Sequence, residues 1–325
     1  MPNELHPARE LPRDELWNLV GTIRHELGRR GELLPPSWVD ETVDAITQGF
    51  GNGWFSGERR TPTALALVWV RDRKAYGHLH GTGSPESVEG LLQLGRGLIE
   101  PLGPEVDRLD MGSTGLSEPE EQELGRRLCE DPRFSKLQRH SMVRMLASEA
   151  PPPEPRWPEG VELTTVRQVP FDDVTSLDWR TYRGTPDETL LSSSPAGNRE
   201  LLENALAGLF GRYLDEASPA ARSPAGVLLG FAVACQESLR TGILLDLAVD
   251  PDSRRRGLGE ALLLRSLRAL LALGYPRAHL WVTEGNTSAR ALYEKVGFVV
   301  DASAMIYRWA RVPAPPPATA DIASP

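Results

Sequence analysis

The chain is poor in the residues that would tie it to several common classes. It has two cysteines, Cys129 and Cys235, in 325 residues, too few for a disulfide scaffold or a cysteine-rich zinc module. Its longest clean apolar run, Ala64 to Val70, falls far short of the ~18 residues a membrane span needs. The N-terminus (MPNELHPARELPRDEL) lacks the apolar stretch of a secretory leader. Lysine occurs only at Lys74, Lys136 and Lys295, and 36 basic residues face 45 acidic ones for a net charge of −9. Both halves of the chain are acidic, so neither has the basic excess that phosphate-backbone contacts require. The expectation is a cytoplasmic protein, monomer or homodimer, with no nucleic-acid or membrane partner.

What is present is ordinary globular material: 40% hydrophobic residues and 30 glycines. At about 150 residues per domain the length suggests two domains. The stretch Ser148–Gly160 reads SEAPPPEPRWPEG, with five prolines in eight residues, which blocks helix and central strand alike. It is the expected linker (148–160) between domains 1–147 and 161–311. The Ala/Pro-rich tail, 312–325, has little to bury and is expected to be disordered.

Periodicity orders the second half as follows. A strand at Val161–Arg167 precedes helices at Phe171–Arg180 and Asn198–Phe210. A hairpin follows, of Val227–Gln236 and Ile243–Val249. Next come a Leu/Ala-rich helix Gly257–Leu273, a strand Arg277–Thr283, a helix Asn286–Val296 and a strand Met305–Trp309. Gly274, and Gly297 with Phe298, are expected helix endings, and Asn286 an N-cap. The first half gives a similar order: helices Arg13–Arg29 and Ser37–Gly49, strands Ala64–Val70 and Ala75–His80, helix Ser87–Ile99, strand Val106–Met111, helix Glu118–Leu128 and strand Ser141–Leu146. The two closing strands are alike, SMVRMLA against AMIYRWA. One fold used twice is the expectation.

The informative segment is Leu244–Gly259, LLDLAVDPDSRRRGLG, a strand, a turn and the start of a helix. Three consecutive arginines at a helix N-terminus oppose the dipole, at ~0.3–1 kcal/mol each. Gly257 and Gly259 each cost about 1 kcal/mol against Ala in the same turn. A bound anion would compensate both: glycines let a phosphate reach the backbone, free N–H groups point at it, and Arg adds forked donors. Taken alone, the segment also fits a solvated basic turn with two flexible glycines.

Neighbouring residues narrow the choice. Arg254-x-x-Gly257-x-Gly259 resembles the acyl-CoA pyrophosphate signature (Q/R-x-x-G-x-G/A) of the GNAT acetyltransferase superfamily. Leu247–Pro251 looks like the strand and turn that lead into it, and Asn286–Phe298 like the family's second signature. The resemblance covers residues ~161–310. It implies a mixed α/β fold, a mostly antiparallel twisted sheet flanked by helices, present as two GNAT-like domains in tandem with a degenerate first copy.

The resemblance further implies direct acyl transfer from acetyl-CoA to a small-molecule amine, with no metal. The N–H of Val249 would hold the thioester carbonyl, and Leu247, Ala248 and Val249 would run beside the pantetheine arm. Arg254, Arg255, Arg256, Gly257, Leu258 and Gly259 would cradle the pyrophosphate. Asn286 would cap its helix and reach the cofactor, and Tyr293 would protonate the departing thiolate. The base has no clear owner. Ile243, Leu245 and Leu247 occupy the useful strand face, the period-two rule turns Asp246 away, and Glu284 remains as a candidate. The layout is similar to that of mycothiol synthases, which leaves a mycothiol-synthase-like enzyme and a non-catalytic acyl-CoA sensor or scaffold as alternatives.

Three further features are read as structural. His78 and His80 share a strand face but have no third ligand in sight. Gly81-Thr-Gly83 imitates a dinucleotide loop, yet Glu86 stands where a third glycine belongs, and Glu86 and Glu89 repel phosphate. Cys235 sits in a strand as packing.

Overall fold

The computed structural model describes residues 5–29, 37–48, 52–58, 61–71, 73–82, 86–147, 151–189 and 194–311. The tail from Val312 on, Gly49, Gly83 and the first three residues of the expected linker lie outside these. The chain forms two compact units, one made of residues 1–137 and 305–325 and the other of residues 138–304.

The first unit contains β1 (His6–Pro7), α1 (Arg13–Arg29), α2 (Trp38–Thr47), β2 (Asn52–Glu58), β3 (Thr61–Arg71), β4 (Lys74–Gly81), α3 (Ser87–Gly97), β5 (Arg108–Thr114), α4 (Glu118–Leu128) and the start of β6 (Phe134–Met145). Strands β1 to β4 are antiparallel neighbours, β4 and β5 run parallel, and Ile306–Ala310 pairs antiparallel with β5. Alternation along β3 explains its two-sided burial. Ala64, Ala66 and Val68 face α3 and α4, whereas Leu65 and Leu67 meet the α1 and α2 residues Leu16, Ile23 and Val43. Tyr307 and Trp309, fully buried, complete the first of these cores. At ~1.5–3 kcal/mol for each large buried side chain, they are a substantial part of its cohesion.

The second unit contains β7 (Glu162–Thr165), α5 (Phe171–Tyr182), α6 (Pro195–Leu206), β8 (Pro219–Arg222), β9 (Leu228–Gln236), β10 (Thr241–Val249), α7 (Leu258–Ala272), β11 (Arg277–Thr283), α8 (Thr287–Lys295) and most of β12 (Val299–Ala310). Strands β7 to β10 are antiparallel, β10 and β11 parallel, and Arg139–Met145 pairs antiparallel with β11. One face carries α7, whose Leu263, Leu267 and Leu270 pack on Leu244, Leu280 and Val282. The other carries α5 and α6, with Val174, Leu177 and Leu202 against Phe231, Val233 and Ala248. The two units therefore repeat one strand order, as the sequence implied, and each is closed by a strand from the other half of the chain. Periodicity reveals that a strand exists but not which edge it joins.

The expected helix ends occur. Gly274 and Gly297 adopt φ of 89° and 93°, and the Tyr275 and Phe298 amides reach back to Leu270 and Tyr293 at 3.0 Å. Short β2 (NGWFSGE) and β8 (PAAR) escape the periodicity reading, being rich in glycine or opened by proline. The described part of the expected linker is held to α7: Arg268 donates to the Pro152 carbonyl at 2.8 Å and pairs with Glu154.

Candidate active site

The site begins where two parallel strands part. Strands β10 and β11 are in register from Thr241–Arg277 to Leu244–Leu280 and pair no further among the described residues. Beyond that point β10 follows β9, with a register shift between Leu244 and Asp246, while β11 stays on Ser141–Arg139. A cavity of ≈ 450 Å³ opens at the divergence. The Asp250 amide is paired with the Leu229 carbonyl at 2.9 Å. Val249, one residue earlier, therefore turns its own N–H and C=O away from β9.

The strand leads into a turn shaped for an anion. Arg255 has φ 58°, the left-handed region that costs a non-glycine residue ~1–3 kcal/mol. Gly257, at φ 84°, is the N-cap of α7 and offers no side chain to cap it. A Cβ built there meets nothing within 4 Å, so the first-turn amides open onto free space at the positive end of a 15-residue helix. This cradle fits a phosphate. Arg254 serves the backbone instead. Its guanidinium donates to the Val249 carbonyl at 3.2 Å and the Thr181 carbonyl at 2.8 Å, tying the end of β10 to α5.

Helix α8 supplies the opposite wall. Asn286 caps it by accepting from the Ala289 amide at 3.2 Å, and its Nδ2 donates to Asp187 at 2.5 Å. Thr283 also donates to Asp187. Tyr293 packs edge-on against Phe298 with ring centroids 6.0 Å apart. Burial pushes its phenol well above the usual tyrosine range, and the charges of Asp187 and Asp246 add to the shift while Arg139 opposes it. Burial also lowers the pKa of Arg139, whose guanidinium lies 5.8 Å over Trp281.

Of the sequence-predicted cofactor residues, Leu247, Val249, Arg254, Arg255, Gly257, Leu258, Gly259, Asn286 and Tyr293 line this one cavity. Ala248 is buried in the core on the α5 side, and Arg256 is exposed and off the wall. Glu284, the candidate base, is exposed at the end of β11 and does not line the cavity. Simple alternation along β10 sets Asp246 opposite Leu247 and out of reach. Asp246 does lie on that opposite face, beside Tyr182 of α5, but the cavity extends to that side and Asp246 joins its wall. Arg139, Tyr182 and Asp187 also line it and carry no motif. One signal pointed to this region. Asp178 interrupts the buried stripe Val174–Leu177–Thr181 of α5, and an acid on an apolar helix face calls for a partner.

The corresponding place in the first unit is closed. Strands β4 and β5 stay in register from Lys74–Arg108 through His80–Thr114, and a His80 Nδ1 to Thr114 Oγ1 hydrogen bond of 2.7 Å joins their ends. Beyond it a Cβ on Gly115 would stand 2.6 Å from the Gly81 carbonyl oxygen. His78 and His80 stack on each other at 6.2 Å, and Glu89 pairs with Arg127 at 2.9 Å.

The geometry agrees with what the chain is similar to. Residues 172–298 match the sequence profile of the Acetyltransferase (GNAT) family. A GCN5-related N-acetyltransferase from Sphaerobacter thermophilus shares the fold, with a TM-score of 0.66 at 18% identity over 97% of this chain and 98% of that one. A tandem GNAT protein from the clavulanic acid biosynthesis pathway gives 0.62 at 14% identity, over 96% and 99% of the two chains. In sequence, the chain is 30% identical over 220 residues to a mycothiol acetyltransferase of Saccharomonospora viridis, covering 63% of this chain and 65% of that protein. The chain spans about half to two thirds of the length of the curated relatives it matches. No helix among the described residues is long and apolar enough to cross a membrane.

Proposed function

We propose that the second unit is an acetyl-CoA-dependent N-acetyltransferase that acts on a small amine, and that the first unit binds no cofactor. The observation that carries this reading is the divergence of β10 from β11 in front of the open cradle at Gly257. The cofactor brings an acetyl thioester whose carbonyl an amine can attack. The first-turn amides of α7, with Arg255, hold its pyrophosphate, and the Val249 N–H receives the carbonyl oxygen and the charge that develops there. Arg254 fixes that amide by holding the Val249 carbonyl. Tyr293, protonated across the neutral range, gives its phenolic proton to the leaving sulfur. The protein works in the cytoplasm, where its free cysteines stay reduced.

The relatives named mycothiol acetyltransferase make a mycothiol-related amine the first acceptor to try. Thiol release from acetyl-CoA, followed across an amine panel, is the test. An amine-dependent rate supports the enzyme. Tight acetyl-CoA binding with no amine-dependent release would replace it with a sensor.

A further inference from the structure

The cavity wall holds a positive charge that the protein leaves unmet. Leu280 and Val282 of β11 pack toward α7, so alternation turns Trp281 and Thr283 to the opposite face. Arg139 of β6 stands directly across from Thr283, and cross-strand partners point to one side of a sheet. Its side chain therefore leaves the sheet on the α5 side, one strand beyond the gap between β10 and β11. We infer that Arg139 binds a carboxylate on the acceptor, so that the preferred substrates are amines carrying a carboxylate, with apolar amino acids the nearest case. The inference rests on the acetyltransferase reading above and narrows its acceptor class.

Arg139 lines the cavity, makes no hydrogen bond or ion pair among the described residues, and has its Nε buried without a partner. Trp281 lies against it, with the ring centroid 5.8 Å from Cζ. Such a contact engages the face of a guanidinium and leaves its edge of N–H donors free. Asp187 is the carboxylate whose charge acts on Arg139, yet it does not close a pair. Its Oδ1 accepts from Thr283 and its Oδ2 from Asn286, which hold it to the end of β11 and the start of α8. Charged donors out of water are costly to leave unmet. Elsewhere the chain meets them: Arg108 and Arg308 share the Asp110 carboxylate, and Arg254 has two backbone carbonyls. Arg139 has neither, so its partner comes from outside the chain.

Strand pairing sets the base of this side chain before any ligand arrives. The Gln138 carbonyl accepts from the Glu284 amide at 2.9 Å, and His140 is in register with Val282, so the backbone is pinned on both sides of Arg139. That spares binding part of the cost of ordering the site. A single guanidinium offers a forked pair of donors that matches one carboxylate, charge for charge. A phosphate monoester, with ~1.5–2 negative charges at pH 7, calls for a second cation, and Arg254 and Arg255 belong to the cradle end of the cavity. Trp281 and Leu245, 37% and 36% exposed, line the same cavity and give an apolar surface for the rest of the acceptor.

The test uses the full-length protein, acetyl-CoA and matched acceptors at one pH. L-leucine, L-phenylalanine and β-alanine are each run beside their carboxamides and their decarboxylated amines, with phosphoethanolamine for comparison. In the wild type the carboxylate member of each set should lead by about 10–100-fold in kcat/KM. In Arg139→Met, which keeps the length of the apolar stem, that lead should collapse, chiefly through a higher KM for the carboxylate acceptors. Comparing the two proteins on one acceptor cancels the basicity of the amine. Arg139→Lys should restore part of the lead. Losing a charge with no partner should leave the Tm of Arg139→Met at or above that of the wild type. A wild type that acetylates the neutral members as well as the carboxylates overturns the inference and leaves the acetyltransferase standing. So does phosphoethanolamine outpacing every carboxylate. A lowered Tm in Arg139→Met with equal losses on charged and neutral acceptors makes Arg139 a structural residue and also overturns it. A wild type that binds acetyl-CoA but acetylates no amine overturns both readings.

Discussion

Replacing Tyr293 by Phe separates chemistry from packing at this site. The ring sits edge-on to Phe298 and against the core formed by Leu280, Val282 and Val296, contacts that Phe reproduces. No hydrogen bond to the Tyr293 hydroxyl occurs among the described residues. Tyr293 is half-buried and lines the cavity, so removing its hydroxyl strands no buried partner and should leave stability nearly unchanged. A change of about 1 kcal/mol would move Tm by about 2–4 °C in a domain of about 150–250 residues, which sets the resolution the melts need. The cradle at Gly257 does not involve this residue, so acetyl-CoA affinity should stay within about twofold. Turnover should fall about 10²–10⁴-fold, or about 3–5 kcal/mol of barrier, if the phenol is the acid for the leaving sulfur. Burial and the nearby carboxylates raise its pKa, so the wild type should show no alkaline loss of activity from this group below about pH 10. Single-turnover kinetics with acetyl-CoA and the best amine, alongside thermal melts, decide the matter. A Phe variant that keeps wild-type turnover with chemistry rate-limiting would refute the role, and a fall in Tm with turnover intact would make Tyr293 a packing residue.

Three other outcomes are expected. Calorimetry should give one acetyl-CoA per chain, because β4 and β5 stay joined where β10 and β11 part; two equivalent sites would contradict this. Gly259→Val should abolish acetyl-CoA binding in a folded protein. A Cβ there makes only ordinary 3.5 Å contacts with Leu292 and Val249, so circular dichroism should stay native while the extra methyls occupy the cradle. Asp110→Asn should lower unfolding free energy by about 3–5 kcal/mol in denaturant titration, since Lys74, Arg108 and Arg308 all pair with this buried carboxylate. Burial acts to raise the Asp110 pKa, but the two guanidiniums and Lys74 hold it well below the usual range. Its stabilisation is therefore present above about pH 4 and lost as pH falls toward the folded value.

The Gly257 end of the candidate site is legible in sequence because its pieces are consecutive. A phosphate cradle needs a strand end, a positive-φ turn and a helix start in immediate succession, so Leu247 to Gly259 spell it out in order. The Asn286 cap and the Gly297 ending are likewise read within one helix. The rest of the cavity wall is assembled from distant pieces: Arg139 from β6, Tyr182 and Asp187 from around α5, and Asp246 from β10. No spacing rule links them. Alternation sets Asp246 opposite Leu247, as the structure has it, but nothing in LLDLAV announces that the cavity reaches the α5 side of β10. Glu284 attracted notice by its nearness in sequence to Asn286, yet the turn after β11 leaves it in solvent. The strand repeat was visible in both halves, but the similarity between SMVRMLA and AMIYRWA concealed their exchange, since either segment suits either edge.

That exchange has a consequence for how the protein is made. The first unit lacks Tyr307, Arg308 and Trp309 until synthesis has passed residue 309, although residues 1–137 are made well before them. At about 5–20 residues per second, translation of residues 138–304 leaves the edge of β5 without its partner for roughly ten to thirty seconds. The second unit gains Arg139–Met145 before its own strands exist, so it can close as soon as β11 is out. Closure is therefore expected to run against the order of synthesis, with the second unit finishing first and the first unit waiting for Ile306–Ala310. A released chain truncated after residue 304 should carry a protease-sensitive first unit beside a protected second one.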